Sequence, residues 1–408
     1  MRVATKRGYA MVLAGGEGKR LMPLTIDRAK PAVPFGGNYR LIDFALSNLV
    51  NAVFRRIAVL TQYKSHSLDR HISSTWALSP ILGNYVATVP AQMRRGPRWF
   101  AGSADAIYQN LNLIFDEGPD YICVFGADHI YRMDPSQIVA DHLASGASLT
   151  IAAIRSPIEQ AGELGVIETV ADGTTISAFR EKPSDPIGLS DAPHEVLASM
   201  GNYVFNKDVL VDLLKNGYKN ESDLDFGKNL LPDMLKTHKL FAYDFSTNVL
   251  PGIKLYEEEG YWRDVGTIQS FYNANMDILG ARPKLNMNNR RWFIHSGRYD
   301  GPPAKILDGK VTNSIISDGC FVRNATIKNS IIGRGVHVHD GAVIEDSIIM
   351  DFCKIRAEAK LKRVVVDRFN EIAAKEQVGY NAAKDAQRWF VDASGIVVLP
   401  RGKTPGRQ

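Results

Sequence analysis

An internal repeat in the last third of the chain is the feature that most limits its fold. Three Ser-Ile-Ile triplets begin at Ser314, Ser330 and Ser347, and three valines from Val364 keep the phase, so that the steps are 16, 17 and 17 residues. Short β-branched runs at such a period predict a parallel β-helix of about four coils, in which each coil stacks its aliphatic row on the next. An irregular antiparallel sheet is the alternative.

The sequence before the repeat alternates apolar runs with amphipathic stretches. It predicts strands at Tyr9–Ala14, Arg56–Thr61, Tyr121–Gly126 and Leu149–Ile154, and helices at Asp105–Phe115 and Pro135–Ala144. This alternation is typical of an α/β domain with a mainly parallel sheet. Residues 282–310 are rich in Arg, Asn, Gly and Pro and predict a surface connector. We therefore divide the chain into an α/β domain (1–280), a connector (281–311) and a β-helix domain (312–408).

Composition narrows the function classes. The 408 residues carry 49 Lys and Arg against 44 Asp and Glu, with no long basic run, so we expect small anionic substrates and no nucleic acid. No apolar run approaches the ~20 residues of a membrane span, and the first apolar stretch is too short for a signal peptide. The three cysteines form no CxxC pair, which predicts buried reduced thiols and a cytoplasmic location.

A glycine-rich loop directly follows the first predicted strand, at Leu13–Leu21. Its glycines would let backbone N–H groups approach phosphates, and a following helix would add its positive end. A Walker loop is excluded because it needs glycine at position 13 and Ser or Thr at position 20, where Leu13 and Arg20 stand. The dinucleotide fingerprint fails as well, since Leu21 replaces its third glycine.

The continuation of this loop makes the pattern specific. The chain resembles the sugar-nucleotide pyrophosphorylases, and among them most of all the bacterial glucose-1-phosphate adenylyltransferase family. The resemblance covers nearly the whole chain and is carried by Leu13–Leu21, Pro23–Thr25, Arg28–Gly37, Arg40–Asn48, Thr61–Leu68, Pro90–Gln92, Gly102–Ala106, Gly126–Tyr131, Glu181–Pro183, Ala198–Gly201 and Tyr261–Gly266.

The resemblance implies a fold and a reaction. The fold would be a Rossmann-like nucleotidyltransferase domain with a mainly parallel mixed sheet, followed by a left-handed parallel β-helix for regulation and oligomerisation. The reaction would join ATP and glucose 1-phosphate to give ADP-glucose and pyrophosphate, with Mg²⁺ as cofactor. The family further implies a homotetramer that responds to small anionic effectors. Composition and spacing do not select ATP; only the resemblance does.

Asp128 ends a buried apolar strand, where the ligand sites of open α/β sheets gather. By itself it could be a metal ligand or a helix N-cap, and Asp264 could simply pair with Arg263. The resemblance implies that Asp128 and Asp264 jointly bind Mg²⁺, an ion that needs few protein carboxylates when substrate oxygens complete its shell. It also makes Arg20, Lys30 and Asp128 the catalytic set, the two cations clamping the β- and γ-phosphates. A solvated surface pair is the alternative for Arg20 and Lys30.

The resemblance assigns further residues to the two substrates. The ATP-binding residues would be Leu13, Ala14, Gly15, Gly16, Gly18, Gln92, Gly102 and Ser103. The glucose 1-phosphate-binding residues would be Phe100, Gly165, Glu181, Lys182 and Ser199. Glu181 and Lys182 could also be a strand-end charge pair. Phe100 stands where some relatives have Tyr, which puts one hydrogen bond to substrate in doubt.

Regulation would involve arginines outside this set. The resemblance implies Arg28, Arg40 and Arg388 as ligands of an anionic effector, and Gln62 and Trp99 as residues that pass the regulatory signal. Ordinary surface arginines are the alternative. Asp27 replaces a basic residue of some relatives at a position tied to the activator, so the effector could differ.

Three rival functions remain at this stage. A related enzyme would make a UDP-, dTDP- or GDP-sugar with the same fold and metal site. A non-catalytic regulatory subunit would lack catalytic groups, whereas Arg20, Lys30 and Asp128 are retained here. A bifunctional protein would transfer acyl groups on the β-helix, with His337 and His339 as candidates, although these alternate with valines and are expected to point outward.

Overall fold

The computed structural model describes residues 6–94, 96, 99–220 and 224–403. The strands before the repeat are, in chain order, β1 (Gly8–Ala14), β2 (Pro34–Phe35), β3 (Tyr39–Arg40), β4 (Arg56–Thr61), β5 (Tyr85–Pro90), β6 (Tyr121–Gly126), β7 (His129–Tyr131), β8 (Leu149–Pro157), β9 (Gly165–Thr169), β10 (Ile176–Glu181), β11 (Glu195–Asn206), β12 (Leu240–Asp244) and β13 (Trp262–Asp264). The α-helices are α1 (Leu41–Asn51), α2 (His66–Thr75), α3 (Ser103–Tyr108), α4 (Leu111–Glu117), α5 (Pro135–Ser145), α6 (Lys207–Asn220), α7 (Leu231–Met234), α8 (Ile268–Met276) and α9 (Ala382–Ala386).

A parallel group of strands forms the centre of the main sheet. β1 pairs in parallel with β4 on one side and β6 on the other, and β5 extends the sheet beyond β4. These runs are apolar throughout because helices cover both faces of the sheet, and side chains on either face are therefore buried. The parallel register brings the carboxyl ends of β1, β4 and β6 to one edge of the sheet, where Leu13 pairs with Leu60 and Gly126.

Beyond β6 most strand pairs are antiparallel, although β12 pairs in parallel with β8, and the sheet is therefore mixed. The long strand β11 pairs antiparallel with β6, β8 and β9, and its register shifts between Ser199 and Tyr203. A separate two-stranded pair, β7 with β13, places Asp264 opposite His129. The small sheet of β2 and β3 leads into α1.

The predicted elements are confirmed with one division. β4 and β6 have the predicted bounds, and β1, β8 and α5 extend theirs by a few residues. The predicted helix over Asp105–Phe115 is instead two helices, α3 and α4. The break falls at Gln109 and Asn110, where Asn110 takes a non-helical backbone angle and donates its side-chain amide to the carbonyl of Ala106.

The repeat forms a β-helix with three parallel sheets. Two faces hold five strands each, and on the first face Lys305, Phe321, His337, Lys354 and Glu371 are successive partners. The five coils correct our expectation of about four. Pairing starts at Lys305, inside the segment 281–311 that we predicted as a connector, and that segment also buries Leu285, Trp292 and Ile294.

The strands of the β-helix are very short, and they are given by face. The first face has Lys305–Leu307, Phe321–Arg323, His337–Val338, Lys354–Ile355 and Glu371–Ile372. The second has Lys310–Thr312, Thr326–Lys328, Val343–Glu345, Lys360–Lys362 and Gln377–Val378. The third has Ile315–Ile316, Ile331–Ile332, Ile348–Ile349, Val364–Val366, Val397–Leu399 and the antiparallel edge strand Phe390–Val391.

The α/β part and the β-helix share one apolar cluster. Phe44 and Phe271 of the α/β part pack in the same cluster as Ile331, Ile348 and Val365 from the third face of the β-helix. All five side chains are almost fully buried. The two parts are therefore joined through a continuous core.

In the described ranges, none of the helices combines the length and the apolar character needed to cross a membrane. The three cysteines are buried and unpaired, as predicted.

Candidate active site

A cavity of about 470 Å³ opens at the sheet edge where β1, β4 and β6 end. Leu13, Gly15 and Gly16 line it from the glycine-rich loop, and Asp128 lines it from the end of β6. The other lining residues are Pro31, Leu60, Gln62, Phe100, Ala101, Gly102, Ser103, Ala106, Gly126, Glu181, Gly201, Tyr203, Asp225, Phe226 and Gly227. Predicted residues for both substrates thus meet in one cavity.

The glycine-rich loop turns sharply at Gly18. Its φ is +66°, and a Cβ there would lie 2.9 Å from Cβ of Lys30 and 3.1 Å from Cγ2 of Thr25, which leaves room only for glycine. The hydroxyl of Thr25 donates to the Gly18 carbonyl at 2.9 Å. A short 3₁₀ turn, Lys19–Leu21, follows, so the expected helix with its positive end is absent from this loop. Any contact to phosphate would come from backbone N–H groups and cationic side chains.

Lys30 bridges the two aspartates that were predicted to bind metal. Its Nζ lies 2.9 Å from Oδ2 of Asp128 and 3.0 Å from Oδ1 of Asp264. Asp128 leads into β7 and caps no helix, and the β7–β13 pairing brings Asp264 beside it. The Lys30 side chain is only 8% exposed, which excludes the solvated surface alternative for it.

The opposite charges of Lys30 and the two aspartates shift the pKa values of Lys30 and Asp128. Burial by itself lowers the pKa of Lys30, but Asp128 and Asp264 reverse this, so the pKa lies above its ordinary value. Burial likewise raises the pKa of Asp128, and the charge of Lys30 outweighs it and holds that pKa well below its usual range. The site therefore keeps an ionised carboxylate and an ammonium in contact at neutral pH.

Arg20 lies on the outer side of this group, in the turn after Gly18. Its Nη1 contacts Oε2 of Glu163, and its Nη2 lies 3.9 Å from Oδ2 of Asp264. The Arg20 side chain is 52% exposed. Arg20, Lys30, Asp128 and Asp264 are thus brought together beside the cavity, which Asp128 lines.

The opposite wall of the cavity carries Glu181. Its Oε2 approaches two glycines so closely that a Cβ at Gly165 would lie 3.1 Å from it and a Cβ at Gly227 2.6 Å. Lys182 follows with φ +49°, and its Nζ is 3.3 Å from Oε1 of Glu181. A non-glycine residue in this backbone region is strained, and such strain concentrates at functional sites.

Asp225 and Tyr203 were not selected from the sequence, yet both line the cavity. Oδ2 of Asp225 accepts a hydrogen bond from the Ser103 hydroxyl at 3.1 Å, and its Oδ1 accepts from the backbone N–H of Gly227. Gly102 is needed here because a Cβ would lie 2.2 Å from the Leu224 carbonyl. The Asp-Phe-Gly run at 225–227 was the available signal, but by itself it reads as a turn.

Tyr203 and Ser199 lie on either side of the register shift of β11. Burial raises the pKa of Tyr203 to about 12, although a hydrogen bond from Ser199 acts in the opposite direction. The hydroxyl of Ser199 also accepts from the backbone N–H of Gly201, which lines the cavity. Ser199 therefore does not line the cavity itself but contacts Gly201 and Tyr203, which do.

Gln62 holds the backbone of Phe100 with both ends of its amide. Its Oε1 accepts from the Phe100 N–H at 2.6 Å, and its Nε2 donates to the Phe100 carbonyl at 3.3 Å. Gln92 and Trp99 lie elsewhere: both are exposed and neither lines the cavity, and Gln92 accepts hydrogen bonds from Arg94. The structure therefore groups Gln62 and Phe100 with the site but not Gln92 or Trp99.

The arginines predicted for regulation fall into two places. Arg28 is 1% exposed and forms an ion pair with Asp367 of the β-helix at 2.6 Å, which excludes the surface alternative for Arg28. Two of its nitrogens, Nε and Nη1, are buried without a hydrogen-bond partner. Arg40 lies nearby, and burial lowers its pKa to about 10; Asp43 opposes this shift and the charge of Arg28 adds to it. Arg388 instead contacts Glu376 and Trp389 on the outer part of the β-helix.

Two further arginines, Arg334 and Arg368, join Arg28 and Arg40. Burial and the charges of Arg28 and Arg40 lower the pKa of Arg368 to about 10, and its Nε is buried without a partner. Arg334 donates to the carbonyls of Asn38 and Gly297. These four residues, the arginine cluster, lie between the α/β part and the β-helix. Sequence reasoning missed Arg334 and Arg368 because single arginines in a repeat carry no local signal.

The first histidine of the repeat behaves as the alternation predicted, whereas His339 is half-buried. His337 is exposed between the buried Val336 and Val338, and its ring lies against Phe321 at 6.1 Å.

Comparison with known proteins agrees with this architecture. The Nucleotidyl transferase family matches residues 9–280, and the GlmU-like, C-terminal hexapeptide family matches residues 302–399. The hexapeptide match and the three parallel sheets are those of a left-handed β-helix. The chain is similar to glucose-1-phosphate adenylyltransferases of Frankia casuarinae (50% identity, 98% of each chain), Corynebacterium glutamicum (49%, 97% of each) and Thermodesulfovibrio yellowstonii (48%, 96% of this chain and 95% of the relative).

Proposed function

Because the chain belongs to the glucose-1-phosphate adenylyltransferase family, we propose that it transfers the adenylyl group of ATP to α-D-glucose 1-phosphate. The products would be ADP-glucose and pyrophosphate, and the step would commit glucose to glycogen or a related α-glucan. The observation that carries the proposal is Lys30 between Asp128 and Asp264, where Asp128 lines the cavity shared by the glycine-rich loop and Glu181.

The reaction is an in-line displacement. A phosphate oxygen of glucose 1-phosphate forms a bond to the α-phosphorus of ATP, while the bond from that phosphorus to the oxygen bridging to the β-phosphate breaks. The protein has to align two anions that repel each other and to neutralise the leaving pyrophosphate. We assign the backbone of Gly15 and Gly16 and the side chains of Arg20 and Lys30 to the nucleotide phosphates.

The residues present fit a divalent cation. Asp128 and Asp264 place two carboxylates so that one cation, here the ammonium of Lys30, contacts both. Such a site suits Mg²⁺, because this ion is usually bound by one or two carboxylates, and substrate phosphate oxygens and water molecules complete its octahedral shell. When bound there it would offset charge on the phosphates. Lys30 would then turn its ammonium to the phosphates.

The far wall suits the sugar phosphate. We assign Glu181 and Asp225 to the sugar hydroxyls, since both carboxylates face the cavity. Lys182 would meet the phosphate of glucose 1-phosphate, and Gly165 and Ser199 shape the same wall. Gly102 and Ser103, with Gln62 holding Phe100 above, would border the nucleotide.

A panel of nucleotides tests the proposal. Pyrophosphate release from glucose 1-phosphate and Mg²⁺ is measured with ATP, UTP, dTTP and GTP, for the wild type, Asp128→Asn and the exposed control Asp208→Asn. We expect the wild type to prefer ATP strongly. Asp128→Asn should abolish turnover with ATP, and Asp208→Asn should leave it unchanged. Preference for another nucleotide would move the enzyme to a different sugar nucleotide, and no turnover with any would favour a regulatory subunit.

We also propose that the arginine cluster binds a small anionic effector, a phosphorylated sugar or a three-carbon acid. Buried guanidinium nitrogens without partners at Arg28 and Arg368 support this, because such groups cost free energy unless an anion satisfies them. Arg388 remains a separate candidate. The activity is followed across a panel of these metabolites for the wild type, Arg40→Gln, Arg368→Gln and the exposed control Arg323→Gln. Unchanged activity across the panel would contradict the proposal.

We keep the division into a catalytic domain (1–280), a connector and a regulatory and oligomerisation domain as a proposal, with the strands of the β-helix beginning at Lys305 instead of residue 312, together with a homotetramer. Exposed apolar side chains at Ile81, Leu82 and Leu255 support an assembly that covers them. Sedimentation analysis of the wild type and of Ile81→Asp with Leu82→Asp tests the tetramer. A wild type that sediments as a monomer would contradict it.

A further inference from the structure

One terminal nitrogen of Arg20 is hydrogen-bonded to a carboxylate, and the other lies near a second carboxylate. Nη1 contacts Glu163 and Nη2 lies 3.9 Å from Asp264. A planar guanidinium binds phosphate best through two parallel N–H groups. A polyphosphate that binds both terminal nitrogens of Arg20 therefore competes with Glu163 for Nη1.

The two carboxylates are held very differently. Asp264 lies in β13, is paired to His129 across the strands, and is fixed from the other side by Lys30. Glu163 ends the 3₁₀ turn Ile158–Glu163 between β8 and β9, and its side chain is 61% exposed. We therefore expect a phosphate to displace Glu163, and not Asp264, from Arg20.

We propose that Glu163 is a positioning residue that competes with the nucleotide phosphates for Arg20 and thereby weakens the binding of ATP and of pyrophosphate. The inference rests on the proposed function, in which Arg20 clamps those phosphates. Once displaced, the Glu163 carboxylate stays beside the phosphates and repels them. Both effects act on the polyphosphate and neither acts on glucose 1-phosphate, whose assigned residues lie on the far wall.

Glu163→Gln removes the charge while it keeps the size of the side chain. We expect KM for ATP, and KM for pyrophosphate in the reverse reaction, to fall about two- to fivefold, the range set by a half-exposed ion pair. KM for glucose 1-phosphate should stay unchanged. Glu159→Gln is the matched control, because Glu159 is an exposed glutamate of the same turn.

A double-mutant cycle separates this role from a general change of charge or stability. In an Arg20→Gln background, Glu163→Gln should lower KM for ATP less than it does in the wild type, because only the repulsion by the Glu163 carboxylate remains. A general electrostatic effect would be equal in both backgrounds. Unchanged or higher KM values in Glu163→Gln would overturn the proposal, and a higher value would mean that Glu163 holds Arg20 ready for ATP.

Calorimetric titration with ATP and Mg²⁺, without glucose 1-phosphate, keeps the inference apart from the proposed reaction. Tighter binding by Glu163→Gln supports the inference even if no ADP-glucose forms. Equal or weaker binding overturns it even if the wild type makes ADP-glucose.

Discussion

Gly18→Ala should damage the site through a neighbour rather than through the loop itself. Glycine at position 18 has a φ of +66°, and an alanine Cβ would lie 2.9 Å from Cβ of Lys30 and 3.1 Å from Cγ2 of Thr25. The left-handed backbone costs an alanine about 1–2 kcal/mol. The two close contacts add about 1–3 kcal/mol, because neither neighbour is the flexible end of a side chain. The variant should therefore lose roughly 2–5 kcal/mol of stability.

The functional effect follows from where Lys30 has to move. Its ammonium contacts Asp128 at 2.9 Å and Asp264 at 3.0 Å, so a shift of its Cβ disturbs both contacts. Misplacement by about 1 Å at a reacting centre can cost about a hundredfold in rate. Since the shift needed here is a few tenths of an ångström, we expect kcat to fall about tenfold, with a smaller change in KM for glucose 1-phosphate.

Denaturant unfolding and steady-state pyrophosphate release measure the two effects. Gly146→Ala is the control for the backbone term, since Gly146 has φ +63° after α5 and nothing within 4 Å of a built Cβ. It should lose only the left-handed cost of about 1–2 kcal/mol and keep full activity. A Gly18→Ala enzyme with wild-type kcat would refute the reasoning, because Lys30 would then tolerate displacement.

Three further changes test other parts of the structure. Asp264→Asn, or removal of divalent cations with a chelator, should abolish turnover in the pyrophosphate assay, and added Mg²⁺ should restore only the chelated wild type; chelator-resistant turnover would contradict the two-carboxylate site. Asp225→Asn retains the cap on Gly227 but loses the charge, so KM for glucose 1-phosphate should rise about tenfold with KM for ATP nearly constant, as expected for a charged hydrogen bond; equal changes for both substrates would argue against a sugar contact. Asp367→Asn leaves Arg28 buried without its ion pair and should lower the free energy of unfolding by about 3–5 kcal/mol. The double variant Arg28→Met with Asp367→Leu should recover most of this loss. A stability of Asp367→Asn equal to that of the wild type would contradict this account.

The fold could be predicted where the pattern is local. The short apolar runs predicted the bounds of β4 and β6. The period of the Ser-Ile-Ile triplets predicted the third face of the β-helix. The fifth coil was hidden because its strands lack the triplet: Val397–Leu399 follows the inserted helix α9. The split between α3 and α4 was also hidden, since one asparagine side chain decides it.

The site divides along the same line. Asp128 and the glycine-rich loop each follow an apolar strand, and this local pattern made them predictable from the sequence. Glu163 and Asp225 act through contacts with residues more than a hundred positions away, Arg20 and Ser103 respectively. Sequence spacing contains no information on such pairs, and the same holds for Arg368, which reaches the arginine cluster from the β-helix.

The cluster of Phe44, Phe271, Ile331, Ile348 and Val365 makes the joint between the two parts a dry one. A hinge needs an interface that can slide or open, and this one would expose large apolar side chains if it did. A chain cut after residue 280 would accordingly present that surface to water and tend to aggregate. For the same reason, an effector bound in the arginine cluster could not act by a hinge motion that separates the two parts. It would have to act through small shifts of packed side chains and strands at their interface.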